Sequence, residues 1–322
     1  MPIKYLIISG GGPTCLKALG SLQYLEEHKF WNIDNIEKIY GTSGGALIAV
    51  LLAMKFDWLS ITDYFIKRRW HEVYSFNINQ VFESFSKKGL YNKDVFEIFY
   101  KPFFLARDIS MTITMKEFYE YSKIELHFFT LEINEFIVED LSYKTHPNLL
   151  LLDALHMSSA LPIIISPVCS NNKCYVDGGV ISNYPLNFCL KQNDNIDEML
   201  GFRNDYEKKE NSVGVTNEST IFDYIITFIN KVMRTVDTQT LQQTIPNEVR
   251  NKTQSLDLTY IKNTISSVDI RKQLLDEGRN AAKEFLSSIV INKDIQIVVN
   301  ESDTDSTDCV DSANSISNND KI

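Results

Sequence analysis

The chain has 322 residues, 44% of them apolar, 23% charged and 11% aromatic, and a formal net charge of −10. That length and apolar content support one large α/β domain or two small ones and exclude disorder as the general state. The negative balance argues against a nucleic-acid binder, which carries a basic patch or stripe, and gives no general attraction to anionic lipid.

In chain order, MPIKYLIISGGG is no signal peptide, because glycines interrupt its short apolar run. A strand is predicted over Tyr5–Ser9. Gly10-Gly11-Gly12 follows, then a helix with Leu16, Leu19, Leu22, Leu25 and Ala18 on one side. A second strand, Ile36–Tyr40, runs into Gly41-Thr42-Ser43-Gly44-Gly45 and an apolar helix. Strand, turn and helix in immediate repetition predict an α/β fold with a mainly parallel sheet. The longest apolar run, Ala46–Met54, is too short to cross a membrane. The expectation is a cytoplasmic protein with peripheral membrane contact, through apolar surface or a basic cluster such as Lys67-Arg68-Arg69.

Trp58–Lys101 is aromatic-rich and helical in pattern, a region inserted between core elements. Glu125–Glu139 reads as two strands about a turn at Ile133-Asn134-Glu135, and NLLLLDALHMSSALP as a helix stopped near Pro162. IIISPVCSNNKCYVDGG reads as strand, turn, strand and glycine loop. Asn195–Gly214 is polar and reads as an exposed loop. Helices are predicted at about Ile221–Val236 and Ile270–Ser288, and a last strand at Ile295–Val299. The domain is therefore 1–300, and 301–322 is an acidic, disordered tail.

Five cysteines, Cys15, Cys169, Cys174, Cys189 and Cys309, are odd in number and read as thiols in a reducing compartment, although Cys169 and Cys174 bracket a turn. No C-x-x-C pair points to zinc.

Gly41 to Gly45 fits G-x-S-x-G. A nucleophile on a tight strand-to-helix turn needs neighbours without side chains, and the helix N-terminus favours developing negative charge. The competing reading is Ser43 as a plain N-cap beside flexible glycines. A serine nucleophile needs a base. The histidines, His28, His71, His127, His146 and His156, all lie in the first half of the chain, which disfavours a Ser-Asp-His order. Asp177, at a strand end before Gly178 and Gly179, is the better candidate; its rival is an ordinary Asp-Gly turn. Gly10-Gly11-Gly12 supplies unobstructed N–H donors for an oxyanion. As a nucleotide loop it fails, because Cys15 stands where a third glycine belongs and no Gly-Lys-Ser/Thr follows.

Together SGGG, GTSGG and DGG, with ALHMSSALPIIISPV, YVDGGVISNYPL and LLDEGRNAAKEFL, resemble the patatin-like phospholipase family over about residues 4–290. The resemblance implies a three-layer α/β/α fold, Ser43 as acyl-accepting nucleophile and Asp177 as general base. It implies an oxyanion hole in the Gly10-Gly11-Gly12 loop, with the N–H groups of Gly11 and Gly12 as donors. Gly41, Gly45, Gly178 and Gly179 would support these elements. It implies a phospholipid or other acyl-lipid substrate and no metal or organic cofactor.

The family's loop continues with a basic residue and a glycine where this chain has Thr14 and Cys15; Lys17 is the nearest substitute. That departure keeps open a silent lipid-binding module on the same fold, and an acyltransferase would use the same acyl-enzyme. The predicted helix TIFDYIITFINKVM has a broad apolar face, read as a core helix in preference to a lid or membrane contact. YSFNINQVFESF carries the same ambiguity.

Overall fold

The computed structural model describes residues 2–75, 78–206, 215–240, 243–254 and 256–304. The chain divides into two units, Met1–Ala282 and Lys283–Ile322; in the second, the described residues 283–304 are helical.

The first unit opens with β1 (Tyr5–Ile8), the glycine loop and a 3-10 turn, Gly12–Thr14, that has Pro13 at its start. Helix α1 (Cys15–Glu27), β2 (Lys38–Gly41) and α2 (Gly44–Ala53) follow. The inserted region is α3 (Trp58–Lys67), α4 (Trp70–Val73), α5 (Ile78–Lys87), a short strand β3 (Gly89–Tyr91) and α6 (Asp94–Ala106). Helix α7 (Met115–Ser122), with a Thr114/Glu117 capping box, leads into β4 (Glu125–Glu132) and β5 (Ile137–Leu141). Then come α8 (Leu151–Ser159), β6 (Ile163–Ile165), β7 (Val168–Ser170) and β8 (Lys173–Asp177). The chain continues with α9 (Leu186–Gln192), β9 (Met199–Tyr206), α10 (Ile221–Thr240), β10 (Glu248–Thr253), α11 (Leu258–Ser266) and α12 (Val268–Thr304).

Eight strands form one mixed sheet in the order β10-β9-β1-β2-β4-β8-β7, with β5 also on β4. The run from β10 to β4 is parallel; β5, β7 and β8 are antiparallel. Parallel strands are buried on both faces and read as continuous apolar runs, which is why Leu6, Ile7, Ile8, Ile39 and Tyr40 are all fully buried. One face, with Ile7, Tyr40 and Phe129, is covered by Leu186 and Cys189 of α9. Helices α2 and α8 pack on β2 and β4, and α1 packs on α2. The expected α/β fold is thus present.

Several local expectations are corrected. Asn195–Gly214 is not simply a loop: Met199–Tyr206 is strand β9, between β1 and β10. Its polar second half disguised it, yet Asn204 is buried, as is Asn251 on the neighbouring strand. Residues 207–214 lie outside the described ones. Ile295–Val299 continues α12 as helix. Extending a formed helix over β-branched residues costs only a few tenths of a kcal/mol each, whereas a strand needs a partner. The same helix runs through Glu301–Thr304, the start of the expected tail; 305–322 lie outside the described residues. Strand β6 leaves the main sheet and pairs with β3. Cys169 and Cys174 are not free thiols but form a disulfide: the β7–β8 pairing sets them opposite each other with Cα atoms 4.0 Å apart. Cys15 and Cys189 are free and buried.

Candidate active site

Ser43 sits between β2 and α2 with φ 53° and ψ −120°, a conformation that strains any residue with a side chain by about 1–3 kcal/mol. The glycines beside it are required by close approach. A Cβ on Gly45 would lie 2.3 Å from Ile8 O, and one on Gly41 would lie 2.7 Å from Gly45 C. The Ser43 N–H donates to Ser158 Oγ at 3.1 Å, and Ser158 Oγ donates to Phe129 O at 2.8 Å. Although Ser43 occupies the N-cap position of α2, its side chain makes no capping bond. The hydroxyl lies instead beside the Asp177 carboxylate and favours its charged form.

Asp177 ends β8 and is 4% exposed. Its Oδ1 accepts from Gly179 N–H at 2.7 Å, capping a 3-10 turn over Gly178–Val180 rather than closing a hairpin. Gly178 passes so near β4 that a Cβ there would lie 2.2 Å from Phe129 O. Burial pushes the Asp177 carboxyl up to about 6, against the lowering effect of the nearby Ser43 hydroxyl and of the Gly179 N–H. A serine hydroxyl therefore lies beside a carboxylate made more basic than usual.

The three glycines of the first loop differ in their bonding. Gly10 does not offer a donor, because its N–H goes to Asn183 O at 3.0 Å. This corrects its placement among the oxyanion donors: the loop's path beside β1 keeps that amide in backbone pairing. Gly11 and Gly12 have φ 146° and 54°, and among the described residues no protein group accepts from their N–H groups. Lys17 does not stand in for a basic loop residue. Its Nζ lies 2.7 Å from Glu277 Oε2 and donates to Lys252 O at 2.6 Å.

No histidine bonds to Ser43 among the described contacts. His156 Nε2 meets Ser166 O at 2.8 Å, and His127 lies between Asp140 and Glu125. Among the described residues no group of His, Cys, Asp and Glu is arranged to hold a metal.

Gly11, Gly12, Ser43 and Asp177 line a cavity of about 670 Å³ whose other walls are largely apolar, including Leu47, Phe65, Trp70, Phe96, Phe99 and Ile164. Helix α10 contributes Phe222, Asn230 and Met233, and α5 contributes Val81. The core-helix expectation for α10 is corrected. Ile226 is its one buried residue among those described, while Ile221, Tyr224 and Phe228 face solvent, Phe228 at 59% exposure. The reason is that α10 packs over the short Gly178–Val180 turn and the cavity rather than on the sheet. Phe82 and Phe85 of α5 are likewise exposed. The basic cluster is largely neutralised in place: Lys67 pairs with Asp63 and Arg69 with Glu72, while Arg68 lies over Trp70. No described helix is long and apolar enough to cross a membrane.

Two contributors to this geometry were not singled out from sequence. Ser158 was hidden inside a helical pattern, and Asn204 lay in the segment read as loop. A serine pair in an otherwise apolar helix was the one available signal for the first.

A family model described as patatin-like phospholipase matches residues 6–190. A protein named probable lipid hydrolase, from Invertebrate iridescent virus 6, is 27% identical over 190 residues, 58% of this chain and 63% of that one. The match thus spans less than two thirds of that relative's length. An uncharacterized protein of Acanthamoeba polyphaga mimivirus is 26% identical over 232 residues, 70% of this chain and 74% of that one. Among solved structures, VipD from Legionella pneumophila superposes with a TM-score of 0.54 at 16% identity, covering 89% of this chain and 67% of its own. That likeness is one of fold.

Proposed function

The chain belongs to the patatin-like phospholipase family, and from that premise we propose that it is a lipid acyl hydrolase working through a Ser43 acyl-enzyme with Asp177 as general base. The observation that carries the reading is the strained Ser43, its hydroxyl beside a buried carboxylate, in the wall of a large apolar cavity. Asp177 takes the hydroxyl proton as Ser43 Oγ attacks the ester carbonyl. The N–H groups of Gly11 and Gly12, with the dipole at the N-terminus of α2, receive the charge on the oxyanion. The alcohol or lysolipid leaves with a proton returned by Asp177. Asp177 then deprotonates a water that releases the fatty acid, and the apolar walls hold the acyl chain meanwhile.

The testing experiment is labelling with a fluorophosphonate, followed by mapping of the modified peptide. Labelling at Ser43 is expected, and Ser43→Ala is expected to lose it. Folded wild-type protein that stays unlabelled with and without lipid vesicles would instead favour the silent-module reading.

The substrate reaches this cavity from a membrane surface in our reading. Helices α5 and α10 each wall the cavity with one face and present aromatic residues to solvent with the other. Inserting such side chains into an interface contributes about 2 kcal/mol apiece. Tyr224→Ser, Phe228→Ser and Phe85→Ser combined are expected to reduce co-sedimentation with phosphatidylcholine vesicles at least about tenfold. Turnover of a soluble short-chain ester should change less than about twofold. Equal vesicle binding by the triple variant and the wild type would remove this surface from the reading.

A further inference from the structure

We infer that Asn204 and Thr14 are positioning residues that aim the two unpaired loop amides at the oxyanion, an inference that rests on reading Ser43 as the nucleophile. Asn204 lies on β9, is 6% exposed, and is separated from Gly10 by 194 positions in sequence. Its Nδ2 donates to Gly10 O at 2.6 Å and to Thr14 Oγ1 at 3.0 Å. A backbone carbonyl only accepts, so the amide must present its NH2 end here. Thr14 Oγ1, receiving one of these bonds, passes its own proton to Gly11 O at 3.0 Å, and Thr14 N–H donates to the same oxygen at 3.2 Å. One carboxamide thereby holds two successive carbonyls, the first directly and the second through a hydroxyl.

The consequence follows from peptide geometry. In a trans peptide unit the C=O and the following N–H point in opposite directions. The chain has no cis peptide bond among its described residues. Fixing Gly10 O toward Asn204 turns the Gly11 N–H away from β9. Fixing Gly11 O toward Thr14 turns the Gly12 N–H away from Thr14. The surroundings place those amides at the nucleophile: Gly11, Gly12 and Ser43 line one cavity, a Cβ on Gly10 would lie 3.1 Å from Ser43 Cβ, and one on Gly44 would lie 3.5 Å from Gly12 N. Glycines at positive φ have several backbone wells open to them, so a loop of this kind needs an external tie to hold its donors still. Oxyanion donors are effective to the extent that they need no reorganisation when charge develops. Asn183 Nδ2 adds a longer bond, 3.4 Å, to the same Gly10 oxygen.

The test compares Asn204→Leu, Thr14→Val and Thr14→Ser on a soluble 4-nitrophenyl ester. Asn204→Leu is expected to lower kcat by about 10–100-fold and Thr14→Val by about tenfold, with KM within twofold. Thr14→Ser, which restores the hydroxyl, is expected to recover most of the loss. The double variant should fall little further than Asn204→Leu alone, because both act through one loop. A trifluoromethyl ketone, which forms a tetrahedral adduct on Ser43, should weaken by the factor lost in kcat/KM, while a chain-matched alcohol binds unchanged. A merely structural role would lower the folded fraction and leave those ratios alone. Should Asn204→Leu fail to fold, the Thr14 pair still decides. Folded Thr14→Val with kcat within twofold of wild type, or ketone affinity unmoved while kcat falls, overturns the inference. Wild-type protein that neither hydrolyses the ester nor reacts at Ser43 defeats the hydrolase reading and this inference with it. An active wild type with indifferent variants defeats this inference alone.

Discussion

Asp177→Asn is expected to lower ester hydrolysis by orders of magnitude and, at pH 8, to make the protein harder to unfold. The first effect would come from loss of the proposed base, a contribution of about 10²–10⁴ in rate for a positioned proton acceptor. The second comes from the burial that tunes the carboxyl. In the folded protein its pKa is raised to about 6 from an ordinary 3.8, chiefly by desolvation. The folded state therefore binds the proton more tightly than the unfolded chain. The stability this contributes is fully present below about pH 4, and it is lost as pH rises through about 6. The gap corresponds to about 3 kcal/mol at most. Asparagine carries no charge to desolvate, and its Oδ1 can still accept from Gly179 N–H. Urea unfolding is expected to show the variant about 1–3 kcal/mol more stable at pH 8, with the difference closing by pH 4. Wild-type kcat/KM should rise through about pH 6 to a plateau. A stability difference that ignores pH would show that the buried carboxylate is not the destabilised group.

That pairing of function against stability was only partly legible in the sequence. The first two strand-turn-helix units could be read because strands buried on both faces are continuously apolar and glycine punctuates their ends. β9 could not, since Arg203, Asn204 and Asp205 carry the polarity of a loop while the strand lies inside the sheet. Periodicity showed that α10 has an apolar face, but a period gives amphipathicity and not the partner, and here the partner is a cavity. Ser43 illustrates the limit at the site. An N-cap and a nucleophilic elbow have the same residues, and what separates them is the strained Ser43 backbone, the missing capping bond and the approach of Asp177 from β8. The division of labour among the glycines was also invisible, because it depends on Asn183 taking the Gly10 amide and Asn204 holding its carbonyl.

Gly278→Ala is expected to destabilise the first unit by about 2–4 kcal/mol, a single methyl group acting at a helix crossing. The start of α12 passes α1 at two glycines. A Cβ on Gly278 would lie 1.9 Å from Lys17 O, and one on Gly20 would lie 2.1 Å from Leu275 O. Both obstacles are backbone atoms, which no rotamer change relieves. The intrinsic preference of alanine for helix, worth about 1 kcal/mol over glycine, works in the opposite direction and is too small to win. Separating the helices also stretches the bond from Ser21 Oγ to Gly278 O, 2.8 Å, and the Lys17–Glu277 ion pair, 2.7 Å. Because α1 begins directly after the glycine loop, the displacement reaches the candidate oxyanion donors as well as the fold. Thermal unfolding should fall by about 5–12 °C. Asn280→Ala, on the exposed side of the same helix, should stay within about 0.5 kcal/mol of wild type. Gly20→Ala combined with Gly278→Ala should cost less than the two separately, since the first methyl already parts the helices. Equal melting temperatures for Gly278→Ala and Asn280→Ala would mean that α12 is free to move away from α1 without loss, and the close crossing would then contribute nothing to holding the loop.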